Sequence, residues 1–261
     1  MRRLAVLTLL AALAVAPVAA ADPPRSGIVH VNVPPGTSDV QYGEQLYGGN
    51  CVTCHGPDGR GITTPVKGAG DIKGLGPPLR GVGALAADFY LRTGYMPLPD
   101  PNRQPRRSRV LFDRNELRAL TAYVASLGGG PAIPTPHPER GNLAAGQQLF
   151  VENCAGCHQA VAQGGYVTGA IAPPLENATP TQIAEAVRIG PYLMPRFSKK
   201  RLSDSQVDSL IRYIQYTKHP DDRGGWALGH IGPVPEGLVA WFVGVLGAIV
   251  ACLIIGKRLH A

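Results

Sequence analysis

Methionine, aromatic residues and charged residues are all scarce in this chain. Of its 261 residues only 3 are Met, aromatic residues make up 6% and charged residues 16%. Glycine and proline are abundant, at 33 and 25 residues, yet the composition is neither that of collagen nor that of wholesale disorder. With 44% hydrophobic residues the chain can bury a core. Its length therefore predicts one to two domains in which loops are extensive.

Acidic residues are fewer than basic residues. The chain has 18 Asp and Glu against 25 Lys and Arg, so its formal net charge is +7. This charge favours contact with acidic partners or with anionic lipid. Nucleic acid is only a weak alternative, and we predict no nucleic-acid partner.

Long apolar runs are confined to the two ends of the chain. At the N-terminus, Arg2 and Arg3 precede the apolar run Leu4–Val15, and small residues up to Ala21 supply a match to a cleavage site. This pattern predicts an export signal over residues 1–21. An uncleaved membrane anchor is the alternative. Both interpretations place the rest of the chain outside the cytoplasm.

The C-terminal run covers residues 238–255. It carries no charge, begins close to two aromatic residues and is followed by Lys257 and Arg258. It predicts one transmembrane helix, with a cytoplasmic tail over residues 256–261 because positive residues mark the cytoplasmic side. A buried core helix is the alternative. We therefore expect a single-pass protein of the cell membrane whose preceding domains are extracytoplasmic and whose C-terminus is cytoplasmic.

The chain also contains an internal repeat. The segment Gly43–His55 matches Gly146–His158 at a constant spacing, and shorter matches follow in the same order. They pair Gly76–Leu79 with Ala172–Leu175, Leu91–Pro97 with Val187–Pro195, and Leu120, Tyr123 and Val124 with Leu210, Tyr213 and Ile214. The repeat predicts two copies of one domain.

Gly- and Pro-rich stretches set the remaining boundaries. They predict an extended arm over 22–37, domain 1 over 38–130, a linker over 131–140, domain 2 over 141–219 and a second linker over 220–237 that leads into the membrane.

Each copy is predicted to be mainly α-helical, with helices at its beginning, middle and end. The last helix opens with a capping box, Asp113 with Glu116 in domain 1 and Ser203 with Gln206 in domain 2. No alternating strand pattern competes. We also expect the first and last helices to cross closely where Gly43 and Gly146 meet Tyr123 and Tyr213. Copies this small and this rich in loops require a large buried group, and haem meets that need.

The chemistry is concentrated in two C-x-x-C-H motifs, which are the attachment pattern for c-type haem. Two thiols on one helical turn can add to the two vinyl groups of haem, and the adjacent imidazole then faces the iron. The cysteines are Cys51, Cys54, Cys154 and Cys157, and the imidazoles are those of His55 and His158. Two disulfides, one zinc site or a thioredoxin-like motif are alternatives, but none explains both histidines. The sequence predicts two covalently bound haem c groups.

The two internal methionines occupy matching positions. Met96 and Met194 are each followed by proline, and each comes after the motif of its own copy. A thioether is a soft ligand that raises the potential of haem iron, although a core gap-filling role is the usual alternative. We predict that Met96 pairs with His55, and Met194 with His158, as axial iron ligands. Two filled axial positions indicate electron transfer, so no catalytic residue is expected.

Further positions near the haems are weaker predictions. The carbonyls of Pro77 and Pro173 are candidates to accept a hydrogen bond from the ligating imidazoles. Arg92 and Arg188 are candidates to pair with haem propionates, with a solvated surface position as the alternative.

A basic run follows the first Met loop. It is predicted to dock an acidic partner, to touch lipid headgroups or to be merely solvated. It consists of Arg103, Arg106, Arg107 and Arg109.

Taken together, the paired C-x-x-C-H and Met-Pro motifs, the export signal and the C-terminal anchor resemble the dihaem cytochrome c subunit of the actinobacterial cytochrome bc complex. The resemblance implies two tandem class I cytochrome c domains in a quinol–cytochrome c oxidoreductase, a translocase, in which this chain is an electron carrier without its own substrate site. It also implies a cytochrome b subunit, a Rieske iron-sulfur subunit that helps to oxidise menaquinol, and a terminal oxidase as partners.

Two other functions remain open from the sequence alone. One is a dihaem electron-transfer subunit of another periplasmic dehydrogenase or oxidase. The other is a dihaem peroxidase, against which the two methionine ligands argue because a peroxidase needs an open iron position.

Overall fold

The computed structural model describes residues 27–62, 76–98, 105–220 and 233–259. The predicted export signal, residues 22–26 of the arm, Arg103 and most of the second linker lie outside the described residues. The chain divides into two compact units, and the main boundary falls between Gly130 and Pro131.

Both units are built mainly from helices, which confirms the predicted fold class. Domain 1 contains α1 (Asp39–Asn50), α2 (Val52–His55), α3 (Gly83–Arg92) and α4 (Arg114–Ser126). Domain 2 contains a 3₁₀ turn (Pro138–Arg140), α5 (Leu143–Asn153), α6 (Ala155–His158), strands β1 (Gly165–Val167) and β2 (Ala170–Ala172), α7 (Pro180–Ile189) and α8 (Asp204–Tyr216). The C-terminal helix α9 covers Pro233–Leu259.

Side-chain caps fix where the helices begin. Both predicted capping boxes are present, Asp113 with Glu116 at α4 and Ser203 with Gln206 at α8. Two further boxes open α1 and α7 through Ser38 and Thr179. Each box satisfies backbone N–H groups that the first helical turn leaves without partners.

The first and last helices of each domain cross at a glycine, as the sequence predicts. A Cβ atom at Gly43 would overlap the Ala119 carbonyl, and one at Gly146 would overlap the Ser209 carbonyl. An aromatic pair packs beside each crossing. The ring centroids of Tyr47 and Tyr123 are 5.0 Å apart in domain 1, and those of Phe150 and Tyr213 are 5.4 Å apart in domain 2.

The described part of the arm packs onto domain 1. Ile28 and Val31 lie against its core. The Asn50 side chain accepts a hydrogen bond from the Val29 N–H at 2.8 Å and donates one to the Val29 carbonyl at 2.9 Å. His30 Nδ1 lies 2.7 Å from a carboxylate oxygen of Glu116. The arm therefore shares the core of domain 1 from residue 28 onward.

The end of the predicted linker packs onto domain 2. Its 3₁₀ turn contacts α8, and the His137 N–H donates to Asp208 at 2.7 Å. Arg212 donates to the Gly141 carbonyl at 2.7 Å. Because these bonds join the chain segment to α8, the fold of domain 2 begins before residue 141.

A β-hairpin in domain 2 was not expected from the sequence. Its antiparallel strands pair Tyr166 with Ile171 across the two-residue turn Thr168-Gly169. Gly169 has a φ of +80°, a conformation that suits glycine in such turns. Strands of three residues are too short to leave an alternating pattern, which explains why the sequence does not reveal them.

Helix α9 extends beyond the predicted span at both ends. Its segment Glu236–Leu259 is long and apolar enough to cross a membrane, and among the described residues no other helix is. Its side chains are exposed on the single chain, as a lipid-facing helix requires.

Candidate functional site: two C-x-x-C-H turns

Both C-x-x-C-H motifs fold into one tight helical turn. In domain 1 the His55 N–H donates to the Cys51 carbonyl at 2.9 Å, and in domain 2 the His158 N–H donates to the Cys154 carbonyl at 2.9 Å. Each turn directly follows the first helix of its domain. Because the motif forms a single helical turn, its two thiols and its imidazole lie close together. Covalent attachment of one planar group such as haem requires this proximity.

Each imidazole is held by a proline carbonyl. His55 Nδ1 lies 2.8 Å from the Pro77 carbonyl oxygen, and His158 Nδ1 lies 3.1 Å from that of Pro173. A carbonyl only accepts, so Nδ1 carries the proton and Nε2 keeps its lone pair for a metal. The structure thus brings together the four residues that the sequence analysis pairs, while their role toward iron stays a prediction.

A glycine makes room for the motif in domain 1. The Gly76 N–H donates to the Cys54 carbonyl at 3.0 Å, and a Cβ at this position would overlap that carbonyl and lie 2.9 Å from His55 Nδ1. The matching residue in domain 2 is Ala172, on strand β2. The sequence analysis assigned Gly76 no role beside His55. The signal was the repeat itself, in which Gly76 before Pro77 is matched by Ala172 before Pro173.

In each domain one tyrosine hydroxyl is hydrogen-bonded to the loop that follows the C-x-x-C-H motif. The sequence analysis predicted neither bond. In domain 1 the Tyr47 hydroxyl donates to the Gly56 carbonyl at 2.6 Å. In domain 2 the Tyr213 hydroxyl donates to the Ala160 carbonyl at 2.8 Å. The two carbonyls lie one and two residues after the histidine, so both tyrosines restrain the loop next to the imidazole.

Burial sets the protonation of the site. It raises the pKa of the Cys51 thiol to about 12 and that of Cys154 to about 11. Burial also lowers the pKa of His158, against the raising effect of its bond to Pro173. The Cys51 and Cys154 thiols are therefore protonated at neutral pH, and the His158 imidazole is neutral, the form that binds a metal.

The donor set fits a covalently attached haem. Each turn offers two thiols that can form thioethers and an imidazole whose Nε2 is available. Among the residues that the structure describes, no group of three His, Cys, Asp or Glu side chains is arranged to hold a metal ion.

Both predicted methionine ligands are half-buried on the loop after the middle helix. The Met96 N–H donates to the Tyr90 carbonyl at 3.0 Å, and the Met194 N–H donates to the Pro191 carbonyl at 3.0 Å. Met194 packs against the core of domain 2. The binding of iron by either thioether stays a prediction.

The two arginines predicted near the propionates bond within their own domains. Arg92 Nε lies 2.7 Å from the buried carboxylate of Asp88. Arg188 donates to the Leu202 carbonyl at 2.7 Å and lies 2.6 Å from Asp204. These contacts give Arg188 a structural role in joining α7 to the start of α8. Contact of either arginine with a propionate stays a prediction.

Comparison with known proteins agrees with this geometry. Residues 40–128 match the family model described as "Cytochrome c", and residues 141–214 match "Cytochrome C oxidase, cbb3-type, subunit III". These matches confirm the prediction of two cytochrome c domains, a type of domain that binds haem c covalently.

Whole-chain relatives extend the match. The chain is 35% identical to the cytochrome bc1 complex cytochrome c subunit of Corynebacterium diphtheriae, over 84% of this chain and 81% of that protein. It is 36% identical to the subunit of the same name from Mycobacterium bovis, over 84% and 78% of the two chains. A cbb3-type cytochrome c oxidase subunit CcoP from Azospirillum sp. is 30% identical over 66% of this chain and 60% of its own.

The repeated helical turns, the carbonyl-held imidazoles and the C-terminal apolar helix agree with these matches, which extend over most of the chain and of the first two relatives. The chain belongs to the family of cytochrome c subunits of the cytochrome bc1 complex.

Proposed function

We propose that this chain carries two haem c groups and relays single electrons within a cytochrome bc1 complex. The main support for the proposal is an imidazole that is hydrogen-bonded to a proline carbonyl and lies in the same turn as two thiols. This arrangement occurs in both domains. In domain 1 the haem is attached through Cys51 and Cys54, with axial ligands His55 and Met96. The corresponding residues of domain 2 are Cys154, Cys157, His158 and Met194.

The chain's own residues tune and protect these groups. When bound, haem supplies reversible one-electron chemistry between its ferrous and ferric states. The Pro77 and Pro173 carbonyls hold the imidazoles in one tautomer and one orientation. The Met thioethers exclude other ligands from the second axial position, which favours electron transfer over substrate chemistry and raises the potential.

The relatives support a place for this chain in a cytochrome bc1 complex, because two of them are named as its cytochrome c subunit. We infer that cytochrome b and Rieske iron-sulfur subunits oxidise quinol, that this chain accepts the electrons, and that it passes them to a terminal oxidase. Residues 238–255 span the cell membrane, both haem domains are extracytoplasmic, and residues 256–261 are cytoplasmic.

A second candidate follows from the match of domain 2 to a cbb3 oxidase subunit. In this candidate the chain is a dihaem electron-transfer subunit of an oxidase or of a periplasmic dehydrogenase. The haem sites and the membrane anchor are the same in both candidates, and only the partners differ.

Purification of the full chain from its native membrane in mild detergent tests the proposal. The mass of the chain should exceed its polypeptide mass by two haems, and cytochrome b and Rieske subunits should accompany it. Recovery with a dehydrogenase alone would overturn the favoured candidate. A chain without covalent haem would overturn both.

A further inference from the structure

The loop that carries Met194 exposes two large apolar side chains. Tyr192 is 54% exposed and Leu193 is 57% exposed. They lie directly before a proposed iron ligand and on the loop that covers one side of the domain 2 core. Adjacent exposed apolar residues in a folded domain often mark an interaction surface.

Tyr192 also adopts an unfavourable backbone conformation. Its φ is +55°, in the left-handed region where a side chain is costly and glycine is preferred. Burial of the ring within the domain would offset this cost, but the ring is largely exposed. A contact outside the domain would account for a tyrosine in this strained and exposed position.

The hairpin continues this exposed area. A Cβ atom added at Gly169, in the hairpin turn, would lie 3.4 Å from Leu193 Cδ1, so the turn reaches the loop. The outer face of the hairpin carries the cross-strand pair of Tyr166, 87% exposed, and the partly exposed Ile171.

Positive charge follows the apolar residues. Residues 190–202 contain four cations, Arg196, Lys199, Lys200 and Arg201, and no carboxylate. Lys199 is paired with Asp204 at 2.8 Å, and the Arg201 guanidinium lies 5.1 Å from the centre of the Phe197 ring. All four cations are exposed.

Backbone bonds fold this segment into a compact loop. The Phe197 N–H donates to the Val187 carbonyl at 2.9 Å, and the Leu202 N–H donates to the Ser198 carbonyl at 2.9 Å. The cations are thus held close to the Met194 loop. Aromatic residues at the centre and charge at the rim are the usual composition of a protein interface.

We propose that Tyr192, Leu193, Arg196, Lys200 and Arg201 form a docking surface for an acidic protein partner that exchanges electrons with domain 2. The inference rests on the proposed function and adds the surface and the charge of the partner. Charge complementarity selects an acidic occupant. A protein is favoured over lipid because lipid cannot accept or supply an electron at the adjacent haem.

The test uses the full chain, isolated with its complex and reconstituted in phosphatidylcholine vesicles. The probe is the rate of quinol-driven electron transfer through the complex, measured over a range of salt concentrations. Lys200→Glu should slow transfer at low salt by about tenfold and weaken its salt dependence, because steering by opposite charge accelerates association by roughly 10- to 1,000-fold. Arg140→Glu is the control, since it reverses an exposed charge of the same domain that lies on the 3₁₀ turn and not on this loop, and its rate should equal that of the native chain.

A second variant tests the apolar centre without adding charge. Tyr192→Gly removes the ring and relieves the strained backbone, so the chain should be as stable as the native protein or more stable, with the domain 2 haem potential unchanged. Electron transfer should nevertheless slow several-fold at all salt concentrations.

Three outcomes would overturn the inference. Equal rates for Lys200→Glu and Arg140→Glu, in a chain with two haems that quinol reduces, would reject the docking surface while the proposed function stands. An effect of Lys200→Glu that appears only when anionic lipid is added to the vesicles would assign the surface to the membrane. Loss of covalent haem from the native chain would reject the proposed function and the docking surface with it.

Discussion

The two domains hold the C-x-x-C-H turn in the same way but use partly different residues. Both place a C-x-x-C-H turn after the first helix, and both cross the first and last helices at a glycine. The tyrosine that restrains the loop after the histidine differs. It comes from the first helix in domain 1, as Tyr47, and from the last helix in domain 2, as Tyr213.

This difference shows which parts of the fold are constrained. Phe150 replaces Tyr47 in domain 2, and the hydroxyl is supplied from the facing helix instead. The bond to a carbonyl of the loop is therefore preserved while its donor is not. The bond to the loop beside the imidazole is shared by both domains, whereas the helix that donates it is not.

The largest expected effect tests whether the two sites are equivalent. Replacement of Met96 or Met194 by alanine should lower the potential of the haem in its own domain only, because a thioether ligand stabilises ferrous iron. Axial ligands control haem potentials over about 0.8 V, so the shift should be clearly resolved in a redox titration of the full chain. An unchanged potential in both variants would reject the ligand assignment.

The helix crossings should respond alike in the two domains. Gly43→Ala and Gly146→Ala each place a Cβ atom into a backbone carbonyl of the facing helix. Overpacking of this kind costs roughly 1–3 kcal/mol or more, and thermal unfolding of the full chain measures it. Gly156→Ala, where an added Cβ meets no atom within 4 Å, is the control and should unfold at the native temperature or slightly above it, because alanine is less flexible than glycine in a helical turn.

Substitution of the residue before the proline that binds the histidine should change stability by different amounts in the two domains. This residue is Gly76 in domain 1 and Ala172 in domain 2. Gly76→Ala should destabilise domain 1 by about 1–3 kcal/mol, because the added Cβ overlaps the Cys54 carbonyl and nearly touches the His55 ring. Ala172→Gly should cost only about 0.5–1 kcal/mol, through lost chain stiffness. Thermal unfolding measures both losses of stability. If Gly76→Ala and Ala172→Gly cost the same, the proline segments of the two domains are packed in the same way and the expected difference is wrong.

The tyrosine exchange gives a smaller and more specific effect. Tyr47→Phe removes a buried donor and leaves the Gly56 carbonyl without it, which costs roughly 1–3 kcal/mol, and Tyr213→Phe should cost a similar amount. Tyr123→Phe is the control in domain 1, since its ring packs on Tyr47 and neither of the two bonds from tyrosine hydroxyls to the loops involves it. Denaturant unfolding should rank Tyr123→Phe as the mildest of the three.

Much of this arrangement could be predicted from the sequence because its causes are local. A capping box occupies four consecutive residues, and a C-x-x-C-H motif makes its own helical turn. The proline carbonyls could be predicted because the repeat aligned Pro77 with Pro173, each after the histidine of its own copy.

Other features could not be predicted because they depend on tertiary packing. The Tyr213 hydroxyl bonds to Ala160, which lies far from it in sequence, and no local pattern pairs the two. The same holds for Gly76 beside His55 and for the contact between His30 of the arm and Glu116. Arg188 was predicted from its position near Met194 to pair with a propionate, and this stays a prediction. Its bonds to Leu202 and Asp204, which join two helices of the domain, could not be foreseen from the sequence.

The smallest effect concerns the start of the last helix, where domain 2 has Asp204 and domain 1 has Arg114. Hydrogen bonds from Lys199 and then Arg188 lower the pKa of Asp204, so its charge stabilises domain 2 above the pKa of the unfolded chain. That contribution is lost as pH falls through the lower pKa of the folded state. Because Asp204 is exposed, Asp204→Asn should cost only about 0.5 kcal/mol at neutral pH. The difference between variant and native chain should disappear once the pH lies below the lowered pKa of the folded state, whereas Arg114→Gln in domain 1 should show no such pH dependence. A cost for Asp204→Asn that persists in acid would mean that shape, and not charge, joins Asp204 to Arg188.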